Sequence, residues 1–132
     1  MIYFDHAATA ALRPAALEAM LPYLTAQCGN PSALYESGRK VRQAVSRARR
    51  ELAETLGCLP EELYFTSGGT EADNWALLAT AEAARARGEA PFLVSTAIEH
   101  HAVLETLRYG RETGILDYAL LPVTGDGVAE LS

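Results

Sequence analysis

Two stretches of the sequence combine residue types that could hold a ligand and act on it. The first is Phe65-Thr66-Ser67-Gly68-Gly69-Thr70-Glu71-Ala72-Asp73-Asn74, where an apolar run meets two glycines and then helix-forming residues. A strand that turns tightly into a helix makes an anion site. The first N–H groups of the helix have no partner within it, the helix dipole favours negative charge, and glycines let a phosphate approach the backbone closely. Thr70 adds a hydroxyl that can cap the helix or donate to a phosphate oxygen, and Glu71 and Asp73 suit a first turn. The stretch is neither a P-loop, which needs Lys and Ser/Thr after its second glycine, nor G-x-G-x-x-G. Its glycines therefore admit two readings, steric punctuation between strand and helix or a ligand cradle.

The second stretch is Glu99-His100-His101. It lacks the H-E-x-x-H spacing, so no metal site is expected. On a helical wheel with Glu99 at zero, Val103, Leu104 and Leu107 fall at about 40 to 140°, His100 at about 100° and His101 near 200°. That places His100 inward over a sheet edge and turns His101 away. An imidazole there could stack on a planar ligand or move protons near neutral pH.

The elements that must position these residues follow from periodicity and punctuation. The pattern from Leu63 reads as strand 63–66, helix 70–87, strand 92–96, helix 99–113 and strand 117–121, a β-α-β-α-β alternation. It predicts an α/β fold with a mainly parallel sheet, right-handed crossovers and ligands at the carboxyl ends of the strands. The glycine turn and the segment from Thr96 to His100 both lie at such ends. The helix over 70–87 is apolar on more than one side. Ala72, Trp75, Ala76, Ala79 and Ala83 make one stripe while Leu77 and Leu78 point elsewhere, so it needs cover on two faces.

Two helices precede this alternation. A short strand is expected at 2–4, then a helix from Pro14 to about Gln27 whose Leu17, Met20, Leu21 and Leu24 make a core-facing stripe. Gly29-Asn30-Pro31-Ser32 breaks the chain, and a helix from about Ser37 to Leu56 follows, closed by Gly57. The second helix carries Arg39, Lys40, Arg42, Arg47, Arg49 and Arg50. These cations lie outside the arc of about 140 to 260° that holds Val41, Ala44, Val45, Ala48, Leu52 and Leu56, and so make a solvated face. After the last strand, Thr124-Gly125-Asp126-Gly127 makes a turn, and a further element is expected to begin near Val128.

With 132 residues and 49% apolar composition, the chain can bury one core. We read 1–132 as a single partial domain, with 1–60 an N-terminal helical segment and 61–132 the start of an α/β domain. A formal charge of -6 gives no general attraction to nucleic acid or to an anionic membrane, and no interleaved aromatics accompany the arginines. No basic segment followed by a long apolar run opens the sequence, so a cytoplasmic protein is expected. Cys28 and Cys58 form no C-x-x-C pair and imply neither a disulfide framework nor zinc.

Taken together, Phe4-Asp5-His6-Ala7-Ala8-Thr9, Gly29-Asn30-Pro31-Ser32, Gly38-Arg39, the stretch Phe65 to Asn74 and Glu99-His100-His101-Ala102-Val103 resemble the N-terminal part of cysteine desulfurases. These are pyridoxal-phosphate (PLP) enzymes of the class V aminotransferase group. The resemblance implies the N-terminal part of a fold type I large domain, with Gly69 and Thr70 on the PLP phosphate and His100 stacked on the pyridine ring and shuttling protons. Asp5, His6, Ala7 and Ala8 would lie near the substrate entrance. His6, Ala10 and Tyr35 depart from the residues common at those positions. The family reaction would convert L-cysteine to L-alanine, with sulfur passed to an enzyme cysteine and on to a sulfur-acceptor or scaffold protein for iron–sulfur cluster or thio-cofactor assembly, in a homodimer. That chemistry also needs a Schiff-base lysine, a carboxylate for the pyridinium nitrogen and a nucleophilic cysteine. Family members are several-fold longer and carry these further along the chain. Here the only lysine is Lys40, and neither cysteine matches the persulfide position. The expectation is a portion of a desulfurase that is inactive alone. A non-catalytic interaction module and one half of a two-chain enzyme are the alternatives.

Overall fold

The computed structural model describes residues 2–130, which fall into two compact units divided between Tyr64 and Phe65. In the first, α1 spans Pro14–Thr25 and α2 spans Glu36–Leu56. Pro14 stands in the first turn of α1, where its missing N–H costs nothing. Gly57 closes α2 in the left-handed region, with φ of 71°, and its N–H returns to the carbonyl of Ala53. A single 3-10 turn at Pro60–Glu62 packs on α2.

The Gly-Asn-Pro-Ser break is fastened to α2 by a close backbone approach. Asn30 Oδ1 accepts from the Ser32 N–H at 2.9 Å, and the Asn30 carbonyl accepts from the Ala33 N–H at 3.0 Å. Buried Gly38 lies directly beneath, where a Cβ would come within 2.7 Å of the carbonyl oxygens of both Asn30 and Ala33. Only a glycine fits there.

In the second unit, α3 (Gly69–Ala86) is followed by β1 (Phe92–Thr96), α4 (His101–Glu112) and β2 (Asp117–Leu121). The strands pair in parallel with Phe92 opposite Asp117 and Thr96 opposite Leu121, the β-α-β crossover expected of this alternation. α3 packs on α4, and α4 packs on β2. Ala81 from α3, Leu107 from α4 and Leu116 before β2 form the buried centre, and Leu107 is 1% exposed. Paired Leu93 and Tyr118 reach it from the sheet. Arg111 ties the end of α4 to the start of β2. Its Nε donates to Asp117 Oδ1 at 2.6 Å, its guanidinium donates to the Tyr118 carbonyl, and its Cζ stacks 3.8 Å from the Tyr118 ring centroid.

Several expectations are corrected. Segments 2–4 and 63–66 are not strands. A strand exists only as part of a ladder, and among the described residues the one ladder is that of 92–96 with 117–121. Leu63 is extended, but its carbonyl accepts from Arg49 Nε at 3.2 Å. Arg49 is accordingly half-buried rather than part of a fully solvated cationic face. None of the residues of α1 is buried, so its Leu17, Met20, Leu21 and Leu24 stripe remains exposed. On α3 the face that packs inward carries Leu78, Ala81 and Ala84, whereas the stripe through Ala72, Trp75, Ala76, Ala79 and Ala83 is exposed. The turn at Thr124–Gly127 forms as expected, with Gly127 at φ of 77° and an isolated antiparallel bridge between Val123 and Ala129. Leu131 and Ser132, where a further element was expected to continue, lie outside the described residues.

Gly110 is the tightest point of the second core, since a Cβ there would come within 2.6 Å of Leu116 Cγ. Gly110→Ala should lower stability by roughly 1–3 kcal/mol, the usual cost of overpacking a filled core. Urea unfolding followed by circular dichroism checks this, and an unchanged midpoint would mean that Leu116 can move aside.

Candidate functional site

The amino end of α3 is built as an open helix terminus. Gly68 precedes the first turn with an extended backbone, and Gly69 begins the helix. Neither glycine lies in the left-handed region, and a Cβ on either would meet nothing within 4 Å. No neighbouring atom therefore demands a glycine at either position. They leave the N–H groups of the first turn bare, as a close anion approach requires.

The acids of the first turn divide the local hydrogen bonding. Glu71 Oε2 accepts from both the backbone N–H and the hydroxyl of Ser67, each at 2.6 Å, and so fastens the incoming chain. The Ser67 hydroxyl, and then its N–H, hold the Glu71 carboxyl below its ordinary value of 4.5. Within the helix the N–H groups of Gly69 and Thr70 have no acceptor. The Thr70 hydroxyl likewise has no partner among the described residues and is free to donate to a ligand.

The amino end of α4 is closed differently. His100 is its N-cap, with extended backbone at φ -60° and ψ 147°, and its Nδ1 accepts from the Ala102 N–H at 3.0 Å. The helix starts at His101, so a wheel begun at Glu99 does not describe where His100 projects. His101 is correspondingly not turned away. The two rings lie 6.4 Å apart, and both line one cavity.

That cavity, of about 400 Å³, runs between α3 and α4 from Thr70 and His100 at their amino ends to Leu78 and Tyr109 further along the two helices. It brings Thr70 and His100 together with Asn74 and Leu78 on one side and His101, Glu105 and Tyr109 on the other. Its volume is within the range of small-molecule sites. A second cavity, of about 700 Å³, shares Thr70, Asn74 and Leu78 and extends to Ser67 and Trp75. Gly69 adjoins Thr70 in the chain but lines neither cavity. Asn74 and His101 were missed as site residues in the sequence. Asn74 could have been found, since it is one helical turn after Thr70 and shares its face.

An open helix terminus with a free hydroxyl, facing a capping imidazole, fits a planar ligand that carries a phosphate. Lys40 forms an exposed ion pair of 2.7 Å with Glu36 on α2, in the other unit. Among the described residues no group of three or more His, Cys, Asp or Glu could hold a metal ion, and no helix is long and apolar enough to cross a membrane.

The model of the aminotransferase class-V family matches residues 2–132, and the chain belongs to that family. It is 43% identical over 127 residues to the cysteine desulfurase IscS of Methanosarcina thermophila, a match covering 96% of this chain and 31% of that protein. Among solved structures, a NifS-like protein superposes with a TM-score of 0.88 at 35% identity, covering 98% of this chain and 35% of that one. A structure described as SspA in complex with cysteine gives a TM-score of 0.76 at 36% identity, over 92% of this chain and 34% of that one. The chain thus spans about a third of the length of the relatives it matches.

Glu71 provides a test of how the α3 terminus is held. A carboxyl whose folded pKa is depressed contributes stability above its unfolded value, and that contribution is lost as the pH falls through the folded pKa. The stability advantage of the native chain over Glu71→Gln should therefore be present at neutral pH and shrink as the pH is lowered from 4.5 through the depressed folded value. Urea midpoints of the two proteins measured across that range check it, and a pH-independent difference would contradict the assignment.

Proposed function

We propose that this chain is the N-terminal portion of a PLP-dependent cysteine desulfurase and supplies the phosphate end and the ring-facing histidine of the cofactor site. In this reading residues 1–60 are an N-terminal helical segment and 61–132 begin the PLP-binding domain. The observation that carries it is the meeting of Thr70 and His100 at one cavity between two helix amino ends. The N–H groups of Gly69 and Thr70, with the Thr70 hydroxyl, bind the phosphate in the field of the α3 dipole. His100, at the same cavity, would stand beside the flat body of the cofactor and could donate or accept a proton there. PLP supplies an electron sink for negative charge developing on the bound amino acid. Asn74 and Leu78 wall the cavity on the α3 side.

The substrate is L-cysteine, the products are L-alanine and a sulfur atom carried on an enzyme cysteine, and the sulfur passes to an acceptor or scaffold protein for iron–sulfur cluster or thio-cofactor assembly. The working enzyme is a cytoplasmic homodimer. The anchoring lysine and the sulfur-accepting cysteine are not among the residues of this chain. Lys40 is no substitute, because an exposed ammonium in an ion pair is a poor nucleophile.

Titration with PLP should shift the amide resonances of Gly69 and Thr70 together with those of His100. Thr70→Val, which removes one hydrogen bond to a charged group, should weaken binding by roughly 10- to 100-fold. A response confined to Lys40, or binding lost in Lys40→Ala, would contradict the reading. L-cysteine added to this chain with PLP should give neither sulfide nor alanine, and turnover would show that the necessary groups are already present. The exposed stripe through Trp75, which is 49% exposed, and the exposed stripe of α1 should make the chain self-associate in sedimentation. A clean monomer would count against the dimeric reading.

A further inference from the structure

The hydrogen bond that caps α4 uses a nitrogen of the same ring that faces the cavity. Nδ1 of His100 accepts from the Ala102 N–H at 3.0 Å, and an imidazole nitrogen can accept only if it carries no proton. A neutral His100 in this geometry must therefore hold its proton on Nε2. The opposite tautomer would bring Nδ1–H against the Ala102 N–H, and the cap would be lost.

We propose that the Ala102 amide is a positioning group that locks His100 in its Nε2–H tautomer, so that the ring acts in the cavity as a hydrogen-bond donor. It becomes a proton acceptor only when the first turn of α4 releases Nδ1. To take a proton from a ligand at Nε2, the neutral ring must first carry its own proton on Nδ1. To become imidazolium, it must gain a proton at Nδ1. Both changes remove the acceptor of the Ala102 N–H and open the cap. Proton uptake by His100 and release of the α4 terminus are thus one event.

The neighbours of the ring leave this role to Ala102. His101 and Glu105 are the other titratable groups recorded at the cavity with Tyr109, all on α4, while α3 contributes uncharged Thr70, Asn74 and Leu78. Among the described residues, the Ala102 N–H is the one recorded hydrogen-bond partner of the ring. Thr106 strengthens the same turn, since its buried hydroxyl donates to the Ala102 carbonyl at 2.7 Å. The Ala102 peptide is therefore held at its carbonyl as well as at its N–H, and the ring docks on a fixed donor.

The functional meaning of this lock rests on the proposed cofactor site, but the lock itself needs no ligand to be measured. Two-bond nitrogen–proton correlation spectra of the histidine-labelled chain, recorded where the rings are neutral, report each tautomer, with His6 and His101 as comparators. His100 should show an unprotonated Nδ1 and a protonated Nε2, with no averaging between tautomers. In His100→Ala the Ala102 amide should exchange with solvent about fivefold faster, the loss expected of a typical N-cap, and His100→Asn should restore its protection. An Nδ1–H or averaged His100 spectrum, or Ala102 exchange unchanged in His100→Ala, would overturn the proposal. If PLP fails to shift Gly69 and Thr70, the cofactor reading falls while the tautomer result stands.

Discussion

The packing of α3 against α4 around Leu107 is the constraint on which the candidate site depends. Ala81 offers a small surface on α3, and Gly110 offers almost none on α4, so that Leu116 can enter between helix and sheet. The two helix amino ends then fall on either side of one cavity. Were the helices spread apart, the bare first turn of α3 and the ring at the start of α4 would be separate features. Together they line one cavity, and it is on this meeting that the proposed cofactor reading rests.

The two ends are finished in different ways, and the difference divides the chemistry. At α3, Glu71 spends its carboxylate on Ser67, which lies before the helix, and the N–H groups of the first turn stay open. At α4, the imidazole itself is the cap, so that the same side chain serves the helix and faces the cavity. An anion is therefore attracted to the first end. The second presents a ring whose protonation state is tied to backbone structure.

Much of this was legible in the sequence, and what was not has definite physical causes. Helix positions were readable because stripes, Pro14 and Gly57 are local signals whose meaning does not depend on distant partners. The segment 63–66 was misread because strand propensity says nothing about whether a ladder partner is present. The inward face of α3 was misjudged because alanines and leucines surround that helix, and only packing on α4 selects Leu78 and Ala81 over Trp75. Thr70 and His100 were singled out at the starts of two helices and given their cofactor roles by the family resemblance, and both line one cavity. The position of His101 at the cavity was hidden because a wheel assumes a helix already begun, and the helix begins one residue after the cap.

The most direct test of the central claim is a crystal structure of this chain grown with PLP. The account predicts the phosphate on the N–H groups of Gly69 and Thr70, within reach of the Thr70 hydroxyl, with the pyridine ring against His100. Cofactor density at Lys40, or a phosphate bound away from the amino end of α3, would contradict it.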